Sequence, residues 1–457
     1  MRLLKCHNWR TLSPIMPIIF LLITCLAALQ MPLLHAQDTQ KATQDWRPLF
    51  DGKSLDGWVN VNCAPSTWTV REGMIHCTGI PTGALRTDRP YENFILEFEW
   101  RHLVAAGNAG LFVWAEPISA PGVPFLRAIE VQILDHAYGK SDWFTTHGDI
   151  FPIHGSTMIP DAPSRGSRSF PSEMRSKASP EWNHYRVTCI DGVIQLAVNG
   201  KEVSGGKECV YRKGYIALES EGGKVDYRNI RIKELPSSSP APSMVAPLDQ
   251  GFTTLYNGVN LDGWVVPEGS EDHWRAQDWK LVYDGKSQAE IKHLWTRESY
   301  RDFVMVCDWR WSGETSKRQV PLILPDGSYA KNEKGERLNE EVDFAGDSGI
   351  FLRGNTKSQV NIWNWSIGSG EVYGYRNDPK TSPEVRQSVT PRLAADNPIG
   401  KWNRFIITLK GDRLSVTLNG HRIIEDALLP GIPPEGPIGL QHHGDPIEFA
   451  SLYIKEL

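Results

Sequence analysis

A segment near residue 50 recurs near residue 256, and no other feature constrains the fold as strongly. Leu49-Phe50-Asp51-Gly52-Lys53-Ser54-Leu55-Asp56-Gly57-Trp58 returns as Leu255-Tyr256-Asn257-Gly258-Val259-Asn260-Leu261-Asp262-Gly263-Trp264. Thr87 to Arg101 matches Thr296 to Arg310, sharing Tyr91/Tyr300, Phe94/Phe303 and Trp100/Trp309. Gly107-Asn108-Ala109-Gly110-Leu111-Phe112 matches Gly346-Asp347-Ser348-Gly349-Ile350-Phe351. The pairs Trp182-Asn183/Trp402-Asn403 and Asn199-Gly200/Asn419-Gly420 follow, and the ends Ile232-Lys233-Glu234-Leu235 and Ile454-Lys455-Glu456-Leu457 agree. Order and spacing are kept along the whole length, so the chain reads as two copies of one unit. The boundary falls in Pro236-Ser237-Ser238-Ser239-Pro240-Ala241-Pro242-Ser243, a stretch too polar to bury a core and read as a semi-extended linker. The expected units are residues 46–235 and 252–457, with the linker at 236–251.

Inside each unit the hydrophobic period is two. In Phe94-Ile95-Leu96-Glu97-Phe98-Glu99-Trp100-Arg101 the apolar residues Phe94, Leu96, Phe98 and Trp100 take one face and the charged residues the other. Val193 to Val198 runs into Asn199-Gly200, and Leu414 to Leu418 into Asn419-Gly420, both strong hairpin signals. The 40 glycines and 31 prolines supply turns. Many short strands with no long helical pattern predict an all-β sandwich or barrel in each unit.

The first residues read as an export signal, not as fold. Arg2, Lys5 and Arg10 precede an apolar run from Ile15 to Leu29, with expected cleavage after Ala36. The run is short and broken by proline, so no membrane span is expected. A lipoprotein anchor at Cys25, in Leu22-Ile23-Thr24-Cys25, is the minor alternative. A secreted or periplasmic location follows, and with it a setting that permits disulfides. Cys63 with Cys77, and Cys189 with Cys209, are the local pairings to test; Cys307 reads as a buried free thiol. The net charge of −5 argues against a nucleic-acid partner. Nothing in the sequence fixes an oligomeric state.

Taken together, the opening Leu-Phe-Asp-Gly-x-Ser-Leu-Asp-Gly-Trp, the Gly-Asn-x-Gly-Leu-Phe strand, Glu130-Val131-Gln132-Ile133-Leu134-Asp135, the Trp-Asn segment, the Asn-Gly hairpin and the terminal Ile-x-Ile-Lys-Glu-Leu resemble the 3-keto-disaccharide hydrolase domain family. The resemblance covers nearly all of the mature chain, in both copies. It implies two concanavalin-like jelly rolls and the cleavage of glycosides oxidised at carbon 3. Such a sugar has an acidic proton on carbon 2. A base removes it, the enolate expels the glycosidic oxygen, and water adds back. That route needs a base, an acid and a hydrogen-bonding group for the enolate. Direct two-carboxylate hydrolysis is the competing route.

In the first copy Glu130 and Gln132 share the polar face of a strand, with Asp135 at its end and His147 and Asp149 just beyond. Glu130, Asp135, His147 and Asp149 are the expected catalytic groups. Gln132, Arg127, Glu219 and Glu221 are expected to hold substrate, and Trp114 is a candidate sugar platform. The plain reading of Glu130 is an ion pair with Arg127 or Arg101 on a solvated sheet. In the second copy Glu130, Gln132 and Asp135 become Gln359, Asn361 and Asn364. Amides keep hydrogen bonding but exchange no proton at neutral pH. The second copy offers Asp347, Arg353, His442, His443 and the platform Trp363 instead, beside Trp365. One of the two histidines with Asp347 can form a base or a weak divalent-metal site. No nucleotide-binding fingerprint or HExxH motif is present, so no cofactor is called for beyond such a metal. The readings in competition with an enzyme are a non-catalytic carbohydrate-binding protein and a surface scaffold.

Overall fold

The computed structural model describes residues 45–161, 163–290 and 293–457. The expected signal peptide and Cys25 lie outside the described residues. Alternation of apolar and polar residues produces strands throughout, and these fold into two jelly-roll β-sandwiches. The first pairs a nine-stranded sheet with an eight-stranded one; the second pairs an eight-stranded sheet with a five-stranded one. In the strand Phe94–His102 the predicted face of Phe94, Leu96, Phe98 and Trp100 is buried in the first core. Its counterpart Phe303–Trp311 buries Phe303, Met305, Cys307 and Trp309 in the second.

Spacing is not kept everywhere. Between Phe303–Trp311 and Asp347–Leu352 the second sandwich carries an insertion whose strands Ser316–Pro321 and Asn339–Phe344 form a separate two-stranded hairpin. The segment after Leu235 is also more than a spacer. It is tied to the first sandwich by hydrogen bonds from Asn93 to the Pro236 carbonyl (2.8 Å) and from the Arg212 N–H to the Met244 carbonyl (2.8 Å), and by the Arg86–Asp249 ion pair (2.6 Å).

All five described cysteines are buried free thiols, which corrects both expected disulfides. Cys189 and Cys209 sit on strands with a third strand between them. Cys77 lies on the nine-stranded sheet, while Cys63 follows a strand of the other. Strands one apart lie about 10 Å distant, beyond the Cα separation a disulfide spans, and the Cys63 thiol is turned to the Pro81 carbonyl at 3.7 Å instead. Burial pushes the Cys77 thiol up to about 11. Cys307 is the buried thiol its strand position predicts.

The two sandwiches form one compact body. Val61, Ala84, Phe112, Ala128 and Ala217 project from the outer face of the first eight-stranded sheet. Val306 and Tyr453 of the second sandwich join them in a single buried cluster. Around this patch Ser119 bonds Ser451 (2.8 Å), the Tyr453 hydroxyl donates to Ser119 (3.0 Å), and the Gly122 N–H donates to Asp308 (2.8 Å). Gly122 has φ +73°, and a Cβ there would stand 2.5 Å from Trp402, so both backbone and space demand glycine.

Candidate active site

The remainder of that outer face is polar. Strands Asn108–Ala115, Ala128–Leu134 and Tyr215–Ser220 run side by side, with Phe112 opposite Glu130 and Gly110 opposite Gln132. Period two then puts Glu130, Gln132 and Glu219 on the same side. Gly110, between the two glutamates, has no side chain. A Cβ there would lie 2.8 Å from Glu219 Oε2 and 3.0 Å from Glu130 Oε1, so glycine is what lets the two carboxyls meet over the sheet. Glu221 follows at the strand end, where it accepts a hydrogen bond from Asn108 Nδ2. Asn108 Oδ1 in turn accepts from Gln132 Nε2 at 3.0 Å. The three glutamates and their amide neighbours form one constellation.

Burial and the repulsion of neighbouring carboxylates raise all three carboxyls. Burial is the main reason the Glu130 carboxyl is pushed up to about 8, with the Glu221 charge adding to it. Glu219 is driven well above the ordinary range by burial and then by Glu130, and its Oε2 has no hydrogen-bond partner. Glu221 is pushed up to about 7 by burial and by Asp278. Asp278 belongs to the second sandwich and reaches across to accept from the Thr82 N–H (2.6 Å) and hydroxyl (2.8 Å). The nearby Asp149 is neutralised by Arg168 at 3.0 Å and also accepts from Thr145. Arg127 and Arg101 do not pair with Glu130. Arg127 stacks on Tyr211 and bonds its hydroxyl (2.9 Å), and Arg101 bonds Asp226 (2.9 Å).

Other expected residues are placed elsewhere. Asp135 caps a short 3-10 turn and accepts N–H bonds from Ala106, Ala137 and Ser179, which hold its carboxyl low against the opposing effect of burial. Its work is structural. His147 lies opposite Ile133, a core residue, and its ring bonds Ser176 rather than facing Glu130. The register shift around Gly148, at φ +74°, puts the histidine on the other face from Asp149. Burial pulls the His147 imidazole down to about 4. Trp114 is fully buried and donates to the Glu92 carbonyl, so it is core and not a platform.

In the second sandwich Phe351 lies opposite Gln359 and Gly349 opposite Asn361, which superimposes Gln359 on Glu130 and Asn361 on Gln132. Leu440 pairs Ile350 as Leu218 pairs Leu111, so Gln441 stands for Glu219 and His443 for Glu221. The amides bond one another: Gln359 Nε2 donates to Gln441 Oε1 (2.5 Å) and to Asn361 Oδ1 (3.0 Å). Asp347 is pushed up to about 6 by burial, against the pull of exposed His443. His442 turns away, its Nε2 set 3.0 Å from the Ser287 carbonyl. Arg353 is not a substrate group: it is buried, strapping the Gly411 (2.6 Å) and Pro433 (3.1 Å) carbonyls and Asp302 (2.9 Å). It occupies the same left-handed bulge as Trp114 (φ 51° and 52°). Trp363 is also buried, its indole N–H held by the Gly368 carbonyl (2.9 Å). Among the described residues no three His, Cys, Asp or Glu side chains converge as metal ligands, and no helix is long and apolar enough to cross a membrane.

Comparison with known proteins gives the family. A family model described as the 3-keto-alpha-glucoside-1,2-lyase-like domain matches residues 45–233 and 251–455. A 3-keto-disaccharide hydrolase of Bacteroides thetaiotaomicron is 22% identical over 238 residues, 41% of this chain and 77% of that protein. Among solved structures, a Parabacteroides distasonis protein provisionally named a glycosyl hydrolase is 22% identical over 42% of this chain and 94% of its own, with a TM-score of 0.34. A carbohydrate-binding module of Bacillus subtilis is 11% identical over 39% and 96%, with a TM-score of 0.28. The chain, matched over both of its sandwiches, belongs to the 3-keto-alpha-glucoside-1,2-lyase-like domain family.

Proposed function

We propose that the chain is an exported enzyme that cleaves 3-keto-glycosides, with the first sandwich catalytic. One observation carries the reading: Glu130 and Glu219 meet over Gly110 with Glu221 beside them, three carboxyls pushed towards or above neutrality by burial and by one another. A spacer has no use for such a cluster, because burying carboxyls without cations costs stability. Family membership supports the choice of substrate class.

The three carboxyls match the three tasks of elimination. Glu221, at about 7 and the most open, is ionised in part at neutral pH and takes the proton from carbon 2. The electron pair left behind moves onto the carbon 3 oxygen. Glu219 stays protonated, and its unpartnered side donates a hydrogen bond to that oxygen. As the enolate collapses, the bond from carbon 1 to the glycosidic oxygen breaks, and Glu130 gives the leaving oxygen its proton. The product is an enone; water added at carbon 1 completes hydrolysis. Because the groups are coupled, the pH profile reports the cluster and not single residues.

The test is turnover of a 3-keto-glycoside and its unoxidised parent by the mature protein, read as released sugar and enone absorbance. Release from the keto form alone is expected, with Glu219→Ala lowering kcat by about 10²–10³ as for loss of an oxyanion donor. Equal rates in Glu219→Ala and the parent protein would remove Glu219 from the mechanism.

A further inference from the structure

The second sandwich holds a cavity that the catalytic reading leaves unused. Trp363 shares a strand face with Gln359 and Asn361 by the period of two, and Trp365 stacks on it with ring centroids 3.8 Å apart and planes 10° from parallel. Trp363 is locked by its bond to Gly368, so Trp365 is held as a fixed, half-exposed ring with one face covered. That ring borders a cavity of about 510 Å³, whose walls include Asn364, Asp396 and Asn397. Val342 and Asp343, from the inserted hairpin, close one side.

The lining chemistry selects a class of ligand. A rigid indole plate suits the apolar C–H face of a pyranose. Asp396 fixes the Ser369 N–H with one oxygen (2.9 Å), and the wall adds the side-chain amides of Asn364 and Asn397, a residue type with both donors and acceptors for sugar hydroxyls. Among the described residues no lysine or arginine lines the cavity, so the lining does not favour a phosphate or carboxylate. Behind Trp363 on the same strand face lie Asn361 and, about 14 Å away at ~3.4 Å per residue, Gln359, both buried. These amides bond one another and cannot exchange a proton, unlike the glutamates of the first sandwich.

We propose that this cavity is a second saccharide site, which holds a neutral, unoxidised oligosaccharide beside a face that cannot cleave it. It shares with the catalytic reading only the class of ligand. The site would keep the enzyme on glycan material whose oxidised ends the first sandwich cuts.

The experiment is titration calorimetry of the full mature protein with maltotriose, cellotriose and laminaritriose, alongside tryptophan fluorescence. At least one trisaccharide is expected to bind and to perturb the emission. Trp365→Ala should weaken that binding tenfold or more. Ala394→Trp, which fills the cavity from an exposed position on its wall, should do the same without touching the core. Glu130→Gln with Glu219→Gln should leave it within twofold. Binding that survives both cavity variants, or that is lost in the double glutamate variant, overturns the proposal, as does the absence of binding by all three sugars. Turnover of keto-glycosides without trisaccharide binding would sink this site and leave the catalytic reading standing; binding without turnover would do the reverse.

Discussion

The same sheet face in the two sandwiches carries Glu130, Glu219 and Glu221 in one and Gln359, Gln441 and His443 in the other. The backbone beneath is shared down to the glycine, Gly110 or Gly349. The difference therefore isolates what proton exchange contributes when geometry is held constant. Amides satisfy one another at 2.5–3.0 Å, whereas the glutamates leave an oxygen unpartnered and hold protons far above their ordinary range. The first face stores an electrostatic cost that the second does not.

The comparison is most directly broken by making the first face into the second. Glu130→Gln, Glu219→Gln and Glu221→His together should lower kcat/KM on 3-keto-glycosides by about 10³-fold or more. A loss under tenfold would show that the cluster is not the reacting centre. The next effect is on stability. Glu130 and Glu221 are protonated in the fold at pH values where unfolded glutamates are ionised, so the folded state binds more protons. Stability is then full below about pH 4.5 and is lost as pH rises through 7 and 8. The melting temperature of the parent protein should fall by about 5 °C or more between pH 5 and pH 8. The triple variant should flatten that slope; a parent profile that is already flat would mean the carboxyls are not held protonated. The smallest effect concerns the contact between the sandwiches. Gly122→Ala, pressed against Trp402, should cost about 1–3 kcal/mol in denaturant unfolding. No change would show that the Gly122 loop is not fixed there.

The sequence shows the two sandwiches through their repeat and their alternating strands, because both are local patterns. Glu130 and Gln132 were legible as groove residues for the same reason. The meeting of Glu130 with Glu219 was not, since it depends on which strands become neighbours across more than eighty residues. A trace of it was present all the same: Glu219 changes to Gln441 in step with Glu130 to Gln359. His147 and Trp114 were misread because each lies at or beside a bulge, where one left-handed residue turns the expected face over. Arg353 shares Trp114's position and its fate. Asp278 could not have been assigned to the first site, because it arrives from the other half of the chain.

The buried cluster of Val61, Ala84, Phe112, Ala128 and Ala217 beneath Val306 and Tyr453 has a consequence for inheritance. A duplicated gene segment is ordinarily free to be lost once its product does nothing useful. Here deletion of the second copy would bare an apolar patch on the first and remove Asp278 from its mouth. The second sandwich can thus change its side chains while selection still forbids its loss, which is a setting in which a new use for an old groove can accumulate.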